Sequence, residues 1–409
     1  IPIPAPAKLD PPTANDDTAV VRTGDVVTIP VLANDKHAPG TTLHVAPNLV
    51  EPLVDPKYGE AFVSQDTVRF RAGDTPRTVY ATYEAVDSNG QKAAGYIPLQ
   101  ILPLDEKANT APRPHDLTVR ALSGTSVRIP VPLDGLDAEG DSVELVGLDS
   151  APKQGQVTEV GSNYLTYTAF DKTSGIDTFT YKVRDRLGKE ATATIRVGIA
   201  PGANINQAPY AVKDSIVMRP GRTVAVAVLT NDSDPDGDTI GLVKNGIETA
   251  AGVDGLQARV SGDRVLITAP DRPVQTSVQY TVADAHGATA TAPVQITVAE
   301  DVPLVAPVAR DDRIQASDVK GEALTVEVPV LDNDEDPDGT IDALKLSVGD
   351  PTAKVLPNRK IQVTVTDQRQ LVQYSVTDQD EQTASAFIFV PALSELAPTL
   401  RSTKPVEVK

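Results

Sequence analysis

The chain repeats itself four times with a period of about 98 residues, and nothing else in it restricts the fold as strongly. Each copy opens on a proline and an acidic position: Pro12 to Asp17, Pro112 to Asp116, Pro209 to Asp214 and Pro307 to Asp312. The closing acids stand 99, 98 and 98 residues apart. An apolar alternating stretch follows, VVTIPVL from Val26, SVRIPVPL from Ser126, TVAVAVL from Thr223 and LTVEVPVL from Leu324. Alternation with period two is the pattern of a half-buried strand. Late in each copy stands a tyrosine (Tyr83, Tyr181, Tyr280, Tyr374) with an aspartate four residues on (Asp87, Asp185, Asp284, Asp378). Tyr181, Val183 and Asp185 share strand parity, so the ring faces a core while the carboxylate reaches the strand end. In three copies the aspartate opens DSNG, DRLG or DAHG, the Asp-first, Gly-last chemistry of a type I turn.

Short strands, regular turn signals and no helical periodicity predict antiparallel sandwiches of about 95 residues, with roughly seven strands each. The boundaries read as 11–105, 108–200, 206–300 and 304–392. Residues 393–409 are a tail or the start of a further copy, because Ala397 and Pro398 repeat the opening of Ala306 and Pro307. The linkers between copies are short and carry proline, hence semi-rigid. At the other end IPIPAPAKLD matches the close of a copy, as in IPLQILPLD from Ile97. With Met218 the only methionine, the residues are expected to begin and end within a longer protein.

Composition narrows the function. Aromatic residues make up 4% and tryptophan is absent, so the cores must be built from Val, Ile, Leu and Ala, which suits small domains and not one large core. Acidic residues outnumber basic ones by 56 to 37, and a net charge of -19 repels a phosphate backbone, so nucleic acid is not an expected partner. Without cysteine there are no disulfides, thiolate metal sites or cysteine nucleophiles. No apolar run approaches the roughly 20 residues of a membrane-spanning helix.

At these residues the chain resembles the bacterial tandem immunoglobulin-like and cadherin-like repeats, including the VCBS type, found in large surface proteins and adhesins. The third copy carries the opening, NQAPYAVKDSI then VLTNDSDPDGDTI, and the second the close, YLTYTAFDKTSGIDTFTYKVRD from Tyr164. The resemblance implies an all-β chain of four tandem antiparallel Ig-like/cadherin-like β-sandwich domains in an elongated rod, extracellular and at the cell surface. At about 40 Å per domain the rod would span about 150 Å. Two functions stay open. In one the chain is a non-catalytic stalk; in the other it is an adhesin or ligand-binding module recognising a host protein, a glycan or a neighbouring cell-surface component. Regular copies and short linkers favour the stalk, with a monomer and no membrane contact expected. The first copy departs most, with NDKHAPG in place of the acidic turn and a long segment from Val45 to Tyr58.

Catalysis finds little support. His37, His44, His115 and His286 occupy unmatched positions, and neither HExxH nor GxSxG occurs. Calcium is the chemical alternative with sequence content. Asp232, Asp234, Asp236 and Asp238 in the third copy, and Asp334, Asp336 and Asp338 in the fourth, alternate along a turn as the first half of an EF-hand loop does. The bidentate Glu that such a loop needs is replaced by Val243 and Lys345, which excludes an EF-hand. D-P-D-G is also simply a good turn, and both readings stand. Further ligands would have to come from Asp214 or from Asp311 and Asp312; the second copy offers the looser Asp137, Glu139 and Asp141.

Overall fold

The structure is a computed structural model, and it describes residues 10–202, 206–250, 252–315, 318–319 and 324–393. The possible fifth copy and the N-terminal exit segment lie outside these residues.

The first domain shows how the alternating sequence becomes a sandwich. One sheet holds β1 (Ala19–Arg22), β3 (Leu43–Val45), β6 (Arg77–Asp87) and β7 (Lys92–Leu102), in the order β1-β7-β6-β3. The other holds β2 (Val26–Ile29), β4 (Gly59–Ser64) and β5 (Thr67–Ala72), in the order β2-β5-β4. Along β6 every second residue from Val79 to Asp87 is buried and those between face outward. The inward set packs with Phe70, Ile97 and Leu99 into one core.

The second domain repeats the plan with β8 (Leu117–Leu122), β9 (Ser126–Pro130), β10 (Val143–Ser150), β11 (Gly155–Val160), β12 (Tyr164–Ala169), β13 (Gly175–Asp185) and β14 (Glu190–Ala200). Its sheets run β10-β13-β14-β8 and β11-β12-β9. In the third domain Asp214–Met218, Thr289–Val298, Val274–Ala283 and Gly241–Leu242 lie side by side, with Glu248–Thr249 also on Val274–Ala283. In the fourth the corresponding sheet is Asp312–Arg313, Thr383–Val390, Gln370–Thr377 and Lys345–Val348.

One pairing departs from the purely antiparallel expectation. The first strand of every domain runs parallel to the last: Ala19 opposite Leu99, Leu117 opposite Ile195, Asp214 opposite Val294 and Asp312 opposite Ile388. The two strands lie far apart in sequence, so no hairpin turn announces the pairing. It ties the opening of each copy to its close. The first two domains, together with Asp236–Thr239, make one compact unit and the rest of the last two another.

Candidate functional site

The late tyrosine is fully buried in each domain: Tyr83, Tyr181 and Tyr280 are 0% exposed and Tyr374 is 1% exposed. A buried phenol needs a hydrogen-bond acceptor. In all four copies the hydroxyl donates to a backbone carbonyl of the opening segment, at Asn15 (3.1 Å), His115 (2.7 Å), Val212 (2.9 Å) and Arg310 (2.8 Å).

In three copies the hydroxyl also meets the leading aspartate of the turn. Tyr83 donates to Asp35 at 2.9 Å, Tyr280 to Asp232 at 3.1 Å and Tyr374 to Asp334 at 3.0 Å. The same carboxylates accept the backbone N–H groups of Asn15, Val212 and Arg310 at 2.7, 2.7 and 2.8 Å. Asp232 and Asp334 therefore clamp the opening segment to the tyrosine. Sequence reasoning missed this role, for which Asp35, standing in a copy without an acidic turn, was the available signal.

Beside each clamp lies a second carboxylate. Asn34, Asn231 and Asn333 donate to Asp17, Asp214 and Asp312 at 3.1, 3.1 and 3.3 Å. Burial, then the Asp35 charge, lifts Asp17 to about 6. In the fourth domain burial, then Asp334 and Asp311, pushes Asp312 up to about 8, and burial lifts Asp334 to about 6.

The trailing aspartates face a different neighbour. Burial, followed by the charges of Asp338 and Asp378, pushes Asp336 up to about 7. Asp378 opens the hairpin turn, its Oδ1 accepting the N–H groups of Asp380 and Gln382 at 2.8 Å each. Asp336 Oδ1 and Asp378 Oδ2 are buried oxygens without a hydrogen-bond partner, and Asp338 accepts the N–H of Val305 at 2.9 Å. In the third domain Asp234, Asp236 and Asp238 keep the two-residue spacing, with Asp236 buried. The seven candidate ligands thus do not act as one set, and among the described residues no three His, Asp or Glu side chains converge on a common point. The histidines stay apart; His44 is exposed beside Asp66 at 3.1 Å.

The turn of the second domain does something its sequence does not announce: it receives the domain before it. Arg22, at the end of β1, donates through Nε to Asp141 Oδ2 at 2.7 Å, and the two side chains are 2% and 0% exposed. Its Nη1 also holds the Pro103 carbonyl at 3.0 Å. Asp25 accepts the N–H of Ser142 at 2.8 Å, and Arg186, in the second domain's DRLG hairpin, donates to the Thr23 carbonyl at 2.9 Å. Gly140 has φ +78°, and a Cβ there would stand 2.0 Å from the Val20 carbonyl oxygen. Burial lifts Asp141 to about 6 even with the Arg22 guanidinium upon it.

The joint between the third and fourth domains uses the same two surfaces. Ala225 N–H donates to the carbonyl of Gly339, the glycine equivalent to Gly140, at 3.0 Å. Arg222, which occupies the place of Asp25, pairs with Asp380 and donates to Gln379 at 3.1 Å in the hairpin of the next domain.

Four sandwiches on one plan match a single sequence family. The profile of the bacterial Ig domain fits residues 9–99, 109–198, 206–297 and 305–390. The chain belongs to the bacterial Ig-domain family. Among solved structures it is similar to Drosophila N-cadherin EC1-4, with 12% identity, 93% of this chain and 99% of that one covered, and a TM-score of 0.22. It is similar also to the N-terminal four Ig domains of Dscam1 isoform 1.9, with 13% identity, coverages of 94% and 98%, and a TM-score of 0.28. The human desmocollin-1 ectodomain is a third, with 14% identity, coverages of 93% and 79%, and a TM-score of 0.19. No curated protein sequence matches.

Proposed function

We propose that this run of bacterial Ig domains is a non-catalytic, extracellular spacer within a cell-surface protein, holding another part of that protein away from its anchor. The reading rests above all on the buried Arg22–Asp141 pair across the first joint. A flexible tether needs no ordered contact between neighbours, whereas a spacer must resist bending there. Removing one partner of a buried pair strands the other charge, so the joint favours a single geometry over many. Small-angle scattering of the 409-residue chain is the test. A compact globule of this length has a radius of gyration of about 22 Å. The spacer requires a clearly larger value, increased conformational spread in Arg22→Ala, and a profile independent of protein concentration; a compact radius overturns it.

A second reading is favoured by the partnerless oxygens of Asp336 and Asp378: a calcium ion held weakly on these two carboxylates, with water completing its shell. A hard cation takes six to eight oxygens, and fewer anionic ligands mean lower affinity. An ion at a hundred times its Kd stabilises the fold by about 2.7 kcal/mol. The fourth domain should then melt higher in millimolar calcium than in EDTA, with the difference abolished in Asp336→Asn. Equal melting in both buffers leaves the turn as a turn.

A further inference from the structure

The outer face of the first domain carries two aromatic rings that its fold does not use. Tyr80 on β6 and Tyr96 on β7 point away from the core, 50% and 42% exposed. They stack on each other with centroids 5.3 Å apart and planes 17° apart. The other three copies provide an internal control, since each answers the same packing problem. At these two places they have Thr178 and Thr194, Ser277 and Pro293, and Leu371 with the buried Phe387. No other copy exposes an aromatic pair there, so the sandwich does not require one.

The surroundings select a ligand class. Thr78 and Gln100 lie opposite each other one step along the strands, both exposed, and Thr82 lies opposite Tyr96. Asp16, exposed, accepts the Tyr96 N–H at 3.2 Å. The cations of the same two strands are engaged: Lys92 bonds Glu84 at 2.6 Å, and Arg77 lies 3.6 Å over the Tyr58 ring. An anionic partner therefore meets the Asp16 carboxylate and no unengaged cation on these two strands. An aromatic face is electron-rich, and a pyranose presents polarised C–H groups on one side with hydroxyls around its rim. Ring faces bordered by Thr, Gln and Asp side chains meet both requirements.

We propose that this face of the first domain binds a neutral polysaccharide, with a sugar ring stacked on the Tyr80–Tyr96 pair and its hydroxyls bonded to Thr78, Gln100 and Asp16. The site is independent of the spacer reading, and its failure would leave the scattering result untouched.

Native affinity electrophoresis of the whole chain, through gels containing hydroxyethylcellulose, xylan or galactomannan, tests it. The chain should be retarded in at least one neutral gel and not by alginate, which is anionic. The variant Tyr80→Thr with Tyr96→Thr installs the residues of the second domain, a pair that this fold already tolerates. It should lose the retardation at least tenfold while melting as a folded protein. Gln100→Ala should weaken it several-fold, providing a second variant that leaves the rings in place. Unretarded migration in every neutral gel overturns the proposal, as does retardation that survives loss of both tyrosines. Binding of polyproline without any sugar would also overturn it and assign the face to peptide.

Discussion

At the scale of single residues, the tyrosine is where sequence and structure agree most closely, because strand parity places Tyr and the following Asp without reference to anything distant. The partner of its hydroxyl was not legible. Asp35, Asp232 and Asp334 stand 48, 48 and 40 residues before their tyrosines, and only the closed sandwich brings them together. Tyr181→Ala should therefore cost about 3–5 kcal/mol in the second domain by emptying its core. Thermal or urea unfolding reads this directly, and a normally stable variant would remove the tyrosine from the core role. The crowded acids of the fourth domain carry a pH prediction. Asp312, Asp334 and Asp336 rise from 3.8 to about 8, 6 and 7, with burial the first cause in each. The folded domain then holds more protons than the unfolded chain between roughly pH 4 and pH 8, so its stability falls as pH rises across that window. In EDTA the fourth domain should melt higher at pH 5 than at pH 8, and Asp312→Asn should flatten the dependence. A melting point that rises with pH would contradict it.

At the scale of elements, the acidic turn was legible as a turn and illegible as a joint. Its aspartates, proline and glycine announce a tight reversal, and nothing in one copy reveals that β1 of the copy before it rests against the glycine. Gly140 shows why the residue is needed twice over. Its φ of +78° disfavours any side chain, and the Val20 carbonyl occupies the space a Cβ would take. Gly140→Ala should leave each sandwich folded and part the first two domains, seen as a single calorimetric transition resolving into two. Retention of one transition would show that the joint absorbs the methyl group. The hairpin turns offer the converse case. Where three copies have Gly90, Gly188 and Gly287 at positive φ, the fourth has Glu381 at φ +65°. Glu381→Gly relieves that conformation and should raise the fourth domain's stability by a few tenths to about 1 kcal/mol, net of the glycine's added freedom when unfolded. Loss of stability instead would mean that the glutamate side chain contributes more than its backbone costs.

At the scale of the whole molecule, the domain count followed from the period alone, since a repeat of this length is one small core's worth of chain. The chemistry of the joints did not, because it depends on which side chains face each other across a boundary and how deeply they are buried. The same two surfaces meet within each unit, yet with different physics. Arg22 and Asp141 are 2% and 0% exposed, whereas Arg222 and Asp380 are 22% and 17% exposed, and Arg264 and Glu335, 3.4 Å apart, are 30% and 32% exposed. Screening lengths fall from about 10 Å at 0.1 M salt to about 3 Å at 1 M, and solvent-facing pairs weaken accordingly while buried ones hardly respond. The third-to-fourth joint should therefore soften in salt and the first-to-second should not. Double-mutant cycles on the full chain measure this, with unfolding as the readout. The Arg222–Asp380 coupling should be at most about 1 kcal/mol at low salt and vanish at 1 M NaCl. Arg22→Ala alone should cost about 3–5 kcal/mol at either salt, because it leaves Asp141 buried and uncompensated, and replacing both residues with apolar ones should recover most of that loss. Equal salt sensitivity at the two joints would show that water reaches the Arg22–Asp141 pair, and the rigidity attributed to the first joint would fall with it.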